Sequence, residues 1–186
     1  MRARLRDEAG MGLVELTIAM FMLTIALLAL AAGYDSAAIS VHNADKKTVA
    51  AKIAASQIEL YQSLKISLVG LDATNLTNTQ TSGNGSYDAT YVSDEAALSP
   101  SGTDHTITCT DPRASQCLPV QTVTGPENHQ YKMETFVRDV SNSTATAHCS
   151  PCTWNERYVT VIVRDAGATG TPLLFSETSA FDPGPS

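Results

Sequence analysis

Glu15 is the one charged residue in a stretch that otherwise stays uncharged from Met11 to Ala32. A carboxylate among membrane-facing side chains costs at least a few kcal/mol, so it calls for a partner and a role. Cleavage after Gly10 would create one. It would free an α-amino group on Met11, charged near neutral pH and four residues before Glu15. Four cysteines form the second set: Cys109 and Cys117 with seven residues between them, Cys149 and Cys152 with two. Outside the cytoplasm, an even count in a small domain reads as two disulfides, for which the sequence allows three pairings. Local bridges, Cys109–Cys117 and Cys149–Cys152, are expected because each closes a short loop between strands.

The sharper readings of these side chains are weaker. Cys149-Ser150-Pro151-Cys152 has the spacing of a redox dithiol but lacks a βαβ setting. Four thiolates with His105 and His148 nearby could hold zinc, yet seven residues is long for a ligand knuckle. Asp94, Glu95, Asp165 and Asp182 could ligate calcium, though no spacing marks a binding loop. His42 falls on a helix and His129 precedes a strand, and serines are too common to nominate a nucleophile. No catalytic constellation emerges, so neither an enzyme nor a cofactor is expected.

The elements that must position Glu15 begin with a leader carrying Arg2, Arg4 and Arg6. Basic residues on that flank place it in the cytoplasm by the positive-inside rule, with everything after Ala32 outside. Leu16–Ala32 is 17 residues long, about 26 Å as a helix and close to a membrane span. Thr17 and Thr24 are its polar residues, and their hydroxyls can bond carbonyls of the preceding turn. Without the leader the chain keeps 9 basic and 17 acidic residues, net −8. Such a balance gives no general attraction for nucleic acid.

The N-terminal segment resembles that of type IV prepilins and type II secretion pseudopilins. Gly10 before the cut, an apolar Met11, aliphatic Leu13 and Val14, and Glu15 as the fifth mature residue match that family's motif. Met11 and Gly12 depart from the commoner Phe and Thr, and Ala32 stands where many members have proline. The resemblance covers about the first third of the chain. It implies cleavage between Gly10 and Met11 by a prepilin peptidase, N-methylation of Met11, and assembly guided by Glu15. The implied partners are other pilin or pseudopilin subunits, an inner-membrane assembly platform, and membrane lipid before assembly. The Ala-rich run Ala50–Leu60 resembles minor subunits, and retention of Glu15 argues against a capping tip subunit.

Two other classes stay open. Arg2, Arg4 and Arg6, the apolar tract and Ala29-Leu30-Ala31 also make a secretory signal peptide. A plain membrane anchor with an adhesive domain that never polymerises fits the same tract.

Downstream, Val49, Ile53, Leu60, Leu64 and Leu68 share one helical face, so a single helix from Met11 to about Leu68 is expected. Thr74–Ser86 has almost no apolar content, and 70–104 reads as a polar variable loop. Strands follow. Tyr131, Met133, Thr135 and Val137 alternate with Lys132, Glu134, Phe136 and Arg138, and Val159, Val161 and Val163 with Tyr158, Thr160, Ile162 and Arg164. Leu173–Phe181 makes a third strand after a turn at 166–171, and His105–Thr110 and Val120–Thr124 are shorter candidates. The expected organisation is leader 1–10, transmembrane helix 11–33, amphipathic helix 34–69, loop 70–104 and disulfide-bonded sheet 105–186. That is an α+β, pilin-like layout: one long helix packed on a small antiparallel sheet.

Overall fold

A computed structural model describes residues 5–99, 101–142 and 154–181. The chain divides into two units, one ending at Asp45 and one beginning at Lys46. Helix α1 (Leu5–Ser63) supplies the described part of the first unit and the opening of the second. Gly33 does not interrupt it, because the surrounding residues are good helix formers and no proline occurs in the helix. α1 stops at Ser63, earlier than the expected Leu68. Leu64 N–H turns back to the Tyr61 carbonyl, and Ile66–Leu68 forms a separate 3-10 turn that leaves Leu68 half exposed.

In the second unit α1 packs on an antiparallel sheet. Its central strands are β5 (Gln130–Asn142) and β6 (Trp154–Asp165). β7 (Leu173–Phe181) pairs with β6. β4 (Val120–Thr124) and β2 (Thr103–Asp104) lie along the other side of β5, opposite residues 130–134 and 138–139. β2 comes so close that a Cβ on Gly102 would sit 2.6 Å from the Asp139 carbonyl oxygen. A short parallel pair, β1 (Leu71–Asp72) with β3 (Thr106–Ile107), completes the strands.

The stripe that α1 buries is not the one its larger aliphatics suggest. Ala50, Ala54, Gln57, Ile58 and Tyr61 are buried, Leu60 is half-buried, and Val49, Ile53 and Leu64 flank the core. Small residues at 50 and 54 let the helix axis approach the sheet, so the wider side chains fall to either side of the contact. The pleat pairs Val137 with Val159, Thr135 with Val161 and Met133 with Val163, and these face α1.

The segment expected as a loop contains two helices, α2 (Ala73–Gln80) and α3 (Ala89–Ala97). Each is started by an aspartate cap. Asp72 accepts from the N–H groups of Thr74 and Asn75, and Asp88 from those of Thr90 and Tyr91. Each also has an apolar anchor, Leu76 in α2 and Tyr91 in α3. Irregular chain remains between and after them, including a turn at Gly83 with φ of +92°. α3 covers the sheet face that α1 leaves open, with Tyr91 stacked on Phe136 at 4.3 Å, and α2 packs beside α3 and β1.

Candidate functional site

Gly10 and Met11 lie within α1, and Glu15 follows one turn later on its exposed surface. Every side chain from Gly12 to Asp45 is exposed. They include Leu13, Phe21 and Leu28 at 67%, 66% and 71%. The hydroxyls of Thr17 and Thr24 donate to the carbonyls of Val14 and Phe21 at 2.8 and 2.7 Å, which removes both from the helix's polar surface. Glu15 is then the one polar group on that surface without such a backbone bond between Gly12 and Gly33. The helix is long and apolar enough to cross a membrane. Chemically, this segment offers a carboxylate that a neighbouring ammonium can meet in an apolar setting.

Cys109 and Cys117 are joined in a disulfide. It secures the 3-10 turn Ser115–Cys117, which α1 grips from the other side. Gln57 donates to the Ser115 carbonyl at 3.0 Å and Tyr61 to the Gln116 carbonyl at 2.6 Å. Burial pushes the Tyr61 hydroxyl well above its usual range, so it remains a donor. With Cys109 and Cys117 bonded to each other, a four-thiolate zinc site is not formed. Cys149, Cys152 and His148 lie outside the described residues.

The other candidate ligands are engaged by cations of the protein itself. Asp165 meets Lys46 at 2.9 Å and His129 at 2.8 Å. Burial would raise its carboxyl, but these partners and the Gly167 N–H hold it below the usual range. His105 sits 2.6 Å from Asp139, which also takes Arg157 at 2.8 Å. Arg157 in turn donates to the carbonyls of Ile66 and Val69, pinning the turn after α1. His42 is exposed on α1, and Asp182 lies outside the described residues.

Sequence reasoning missed a charged layer between α3 and the sheet. Lys132 bridges Asp88 and Glu134 at 2.6 and 2.7 Å. Arg164 bridges Asp94 and Glu134. Arg138 lies between Glu95 and Asp104, which Gln80 also joins. Glu134 is fully buried; desolvation, reinforced by its contact with Asp94, raises its pKa to about 7. Glu95 is raised to about 7 as well, by desolvation and then by Asp104. The visible signal was Lys132, Glu134, Arg138 and Arg164 alternating with apolar residues along two strands. Their positions imply a second, polar face, but nothing local shows that helices cover it.

Among known protein families, curated proteins and solved structures, none matches this chain.

Proposed function

We propose that this chain is a structural subunit, of minor type, of a type IV pilus or a type II secretion pseudopilus. A prepilin peptidase cuts it between Gly10 and Met11, and Met11 becomes N-methylated. The helix then leaves the bilayer and packs among those of other subunits, while the sheet units lie on the outside. The observation that carries this reading is Glu15, alone among exposed apolar side chains and one turn from the prospective amine of Met11. In a filament core that amine can come from a neighbouring copy. Attraction between the two is large in a low-dielectric setting, but desolvation offsets most of it, so the pair serves register more than stability.

The helix reaches this state from the membrane, with the cytoplasmic end set by the leader arginines. Its partners are the peptidase, an inner-membrane assembly platform and other subunits. The test is the mature N-terminus. Mass spectrometry of the chain from membranes should find Met11 first and carrying one methyl group. A start at Ala32 would establish the signal-peptide reading. An intact Met1, despite an active prepilin peptidase, would leave the plain membrane anchor.

A further inference from the structure

In the second unit, α1 and the β4–β5 hairpin enclose a cleft of about 460 Å³, with Val49, Ile53, Val123 and Met133 among its walls. Pro126 lines its rim. The same turn holds Glu127 and Asn128 at φ of 56° and 60°, in the left-handed conformation. Lys52 stands on the α1 wall. Lys46, Lys132, Arg138, Arg157 and Arg164 all have carboxylate partners, whereas Lys52 has none among the described residues. An apolar cleft with an uncompensated ammonium fits an apolar occupant that carries an acid at its edge.

The first unit carries such a surface. Tyr34, Ala38, Val41 and Asp45 recur at spacings of four, three and four, so they share one helical face and line one shallow concavity. Tyr34 and Val41 are 76% and 61% exposed, and Asp45 ends the stripe with a carboxylate that has no ion-pair partner among the described residues.

We propose that the cleft of one copy receives the Tyr34–Asp45 stripe of a second copy, with the incoming Asp45 set against Lys52. This rests on the filament reading above and deepens it by naming a contact between copies. The two surfaces differ, so the contact is heterologous. A contact between two different surfaces can be repeated from copy to copy, giving an open filament where the rotation does not close, as a polymer requires. Copies of net charge −8 repel one another, so an opposite-sign pair at this place selects one register.

Full-length chains carrying two different tags, co-expressed and extracted from membranes in mild detergent, provide the test. Asp45→Lys in both tagged forms should lower their co-isolation about tenfold, and Lys52→Asp should do the same. Both reversals in one chain should restore it. Val123→Trp, which fills the cleft without changing charge, should lower it too while the thermal transition of the sheet unit stays in place. Co-isolation that ignores the single reversals, or a double reversal that restores nothing, overturns the contact. Sheared filaments from the same cells separate the two readings. Filaments that persist through the reversals refute this contact and leave the filament reading intact. Charge-dependent co-isolation without filaments supports the contact and refutes polymerisation.

Discussion

The two faces of the sheet are closed by opposite means. On one, Ala50, Ala54, Ile58 and Tyr61 of α1 meet Val137, Val159, Val161 and Val163, all buried. On the other, Tyr91 brings a ring to Phe136, and beside that stack the junction with α3 is lined by charge. Asp88, Asp94, Glu95, Asp104 and Glu134 face Lys132, Arg138 and Arg164 there. An apolar junction depends on volume and shape and is indifferent to pH. A charged one depends on its pairings, because every carboxylate taken from water loses hydration that its partners must offset. Here acids outnumber cations, and the excess is met by protonation. Glu134 and Glu95, raised to about 7, hold protons where exposed glutamates have lost them.

The largest effect on stability is expected from Arg164→Met. It strands Glu134 beneath α3 and takes from Asp94 of α3 its arginine, and removing one partner of a buried pair typically costs about 3–5 kcal/mol. The full cost is expected at pH 8, where Glu134 is ionised. At pH 5 it should shrink, because Glu134 is then protonated.

The unsubstituted chain should show the same logic. The two glutamates bind protons in the folded state well above their ordinary 4.5, so their contribution is full below that value and falls as pH rises toward 7. Asp88, Asp139 and Asp165 act the other way. Burial raises each, but Lys132, Arg157 and Lys46 respectively lead the partners that outweigh it. Their stabilisation is present above the ordinary 3.8 and is lost as pH falls below it. Thermal unfolding in detergent, followed by near-ultraviolet circular dichroism, should therefore peak near pH 4–5. Glu134→Gln with Glu95→Gln should flatten the decline between 5 and 8. An unchanged profile in the double variant would show that the charged face does not set it.

A smaller effect is expected on the apolar face. Ala54→Leu adds three carbons where the helix approaches the sheet, and overpacking of this kind costs about 1–3 kcal/mol. Its unfolding midpoint should fall by the same amount at pH 5 and pH 8. That pH independence, set against the behaviour of Arg164→Met, is the sharpest form of the contrast.

The contrast also explains what could be read in advance. Val159, Val161 and Val163, and Tyr131 to Val137, were legible as strands because burial on one face writes a period of two into the chain. The helix itself was legible, but its buried stripe was not. Ala50 and Ala54 carry the contact by being small, and a search for large apolar residues passes over them. α2 and α3 were hidden for a related reason. They have few apolar anchors and are held by Asp72, Asp88 and a set of charges whose partners lie more than 40 residues away in Lys132, Arg138 and Arg164. The motif at Gly10, Met11 and Glu15 is local and can be seen in the chain directly, and its role rests on the proposal above. The cleft beside Lys52 was not, since its walls come from separate parts of the chain.

The smallest effect on stability belongs to the helix of the first unit, where Glu15 has no buried surroundings to disturb. Glu15→Ala should leave the thermal transition of the sheet unit unchanged at every pH, since the residue is exposed and contributes nothing to the core. Cleavage after Gly10 should also proceed, because neither Gly10 nor Met11 is altered. What should change is assembly. On the proposed filament reading, the amine of a neighbour's Met11 becomes available to Glu15 on assembly, and alanine has nothing to offer it. Recovery of Glu15→Ala with sheared filaments should therefore fall well below that of the unsubstituted chain expressed at the same level. Equal recovery of the two would mean that the carboxylate has no part in assembly, and would move the balance to an anchored domain that does not polymerise.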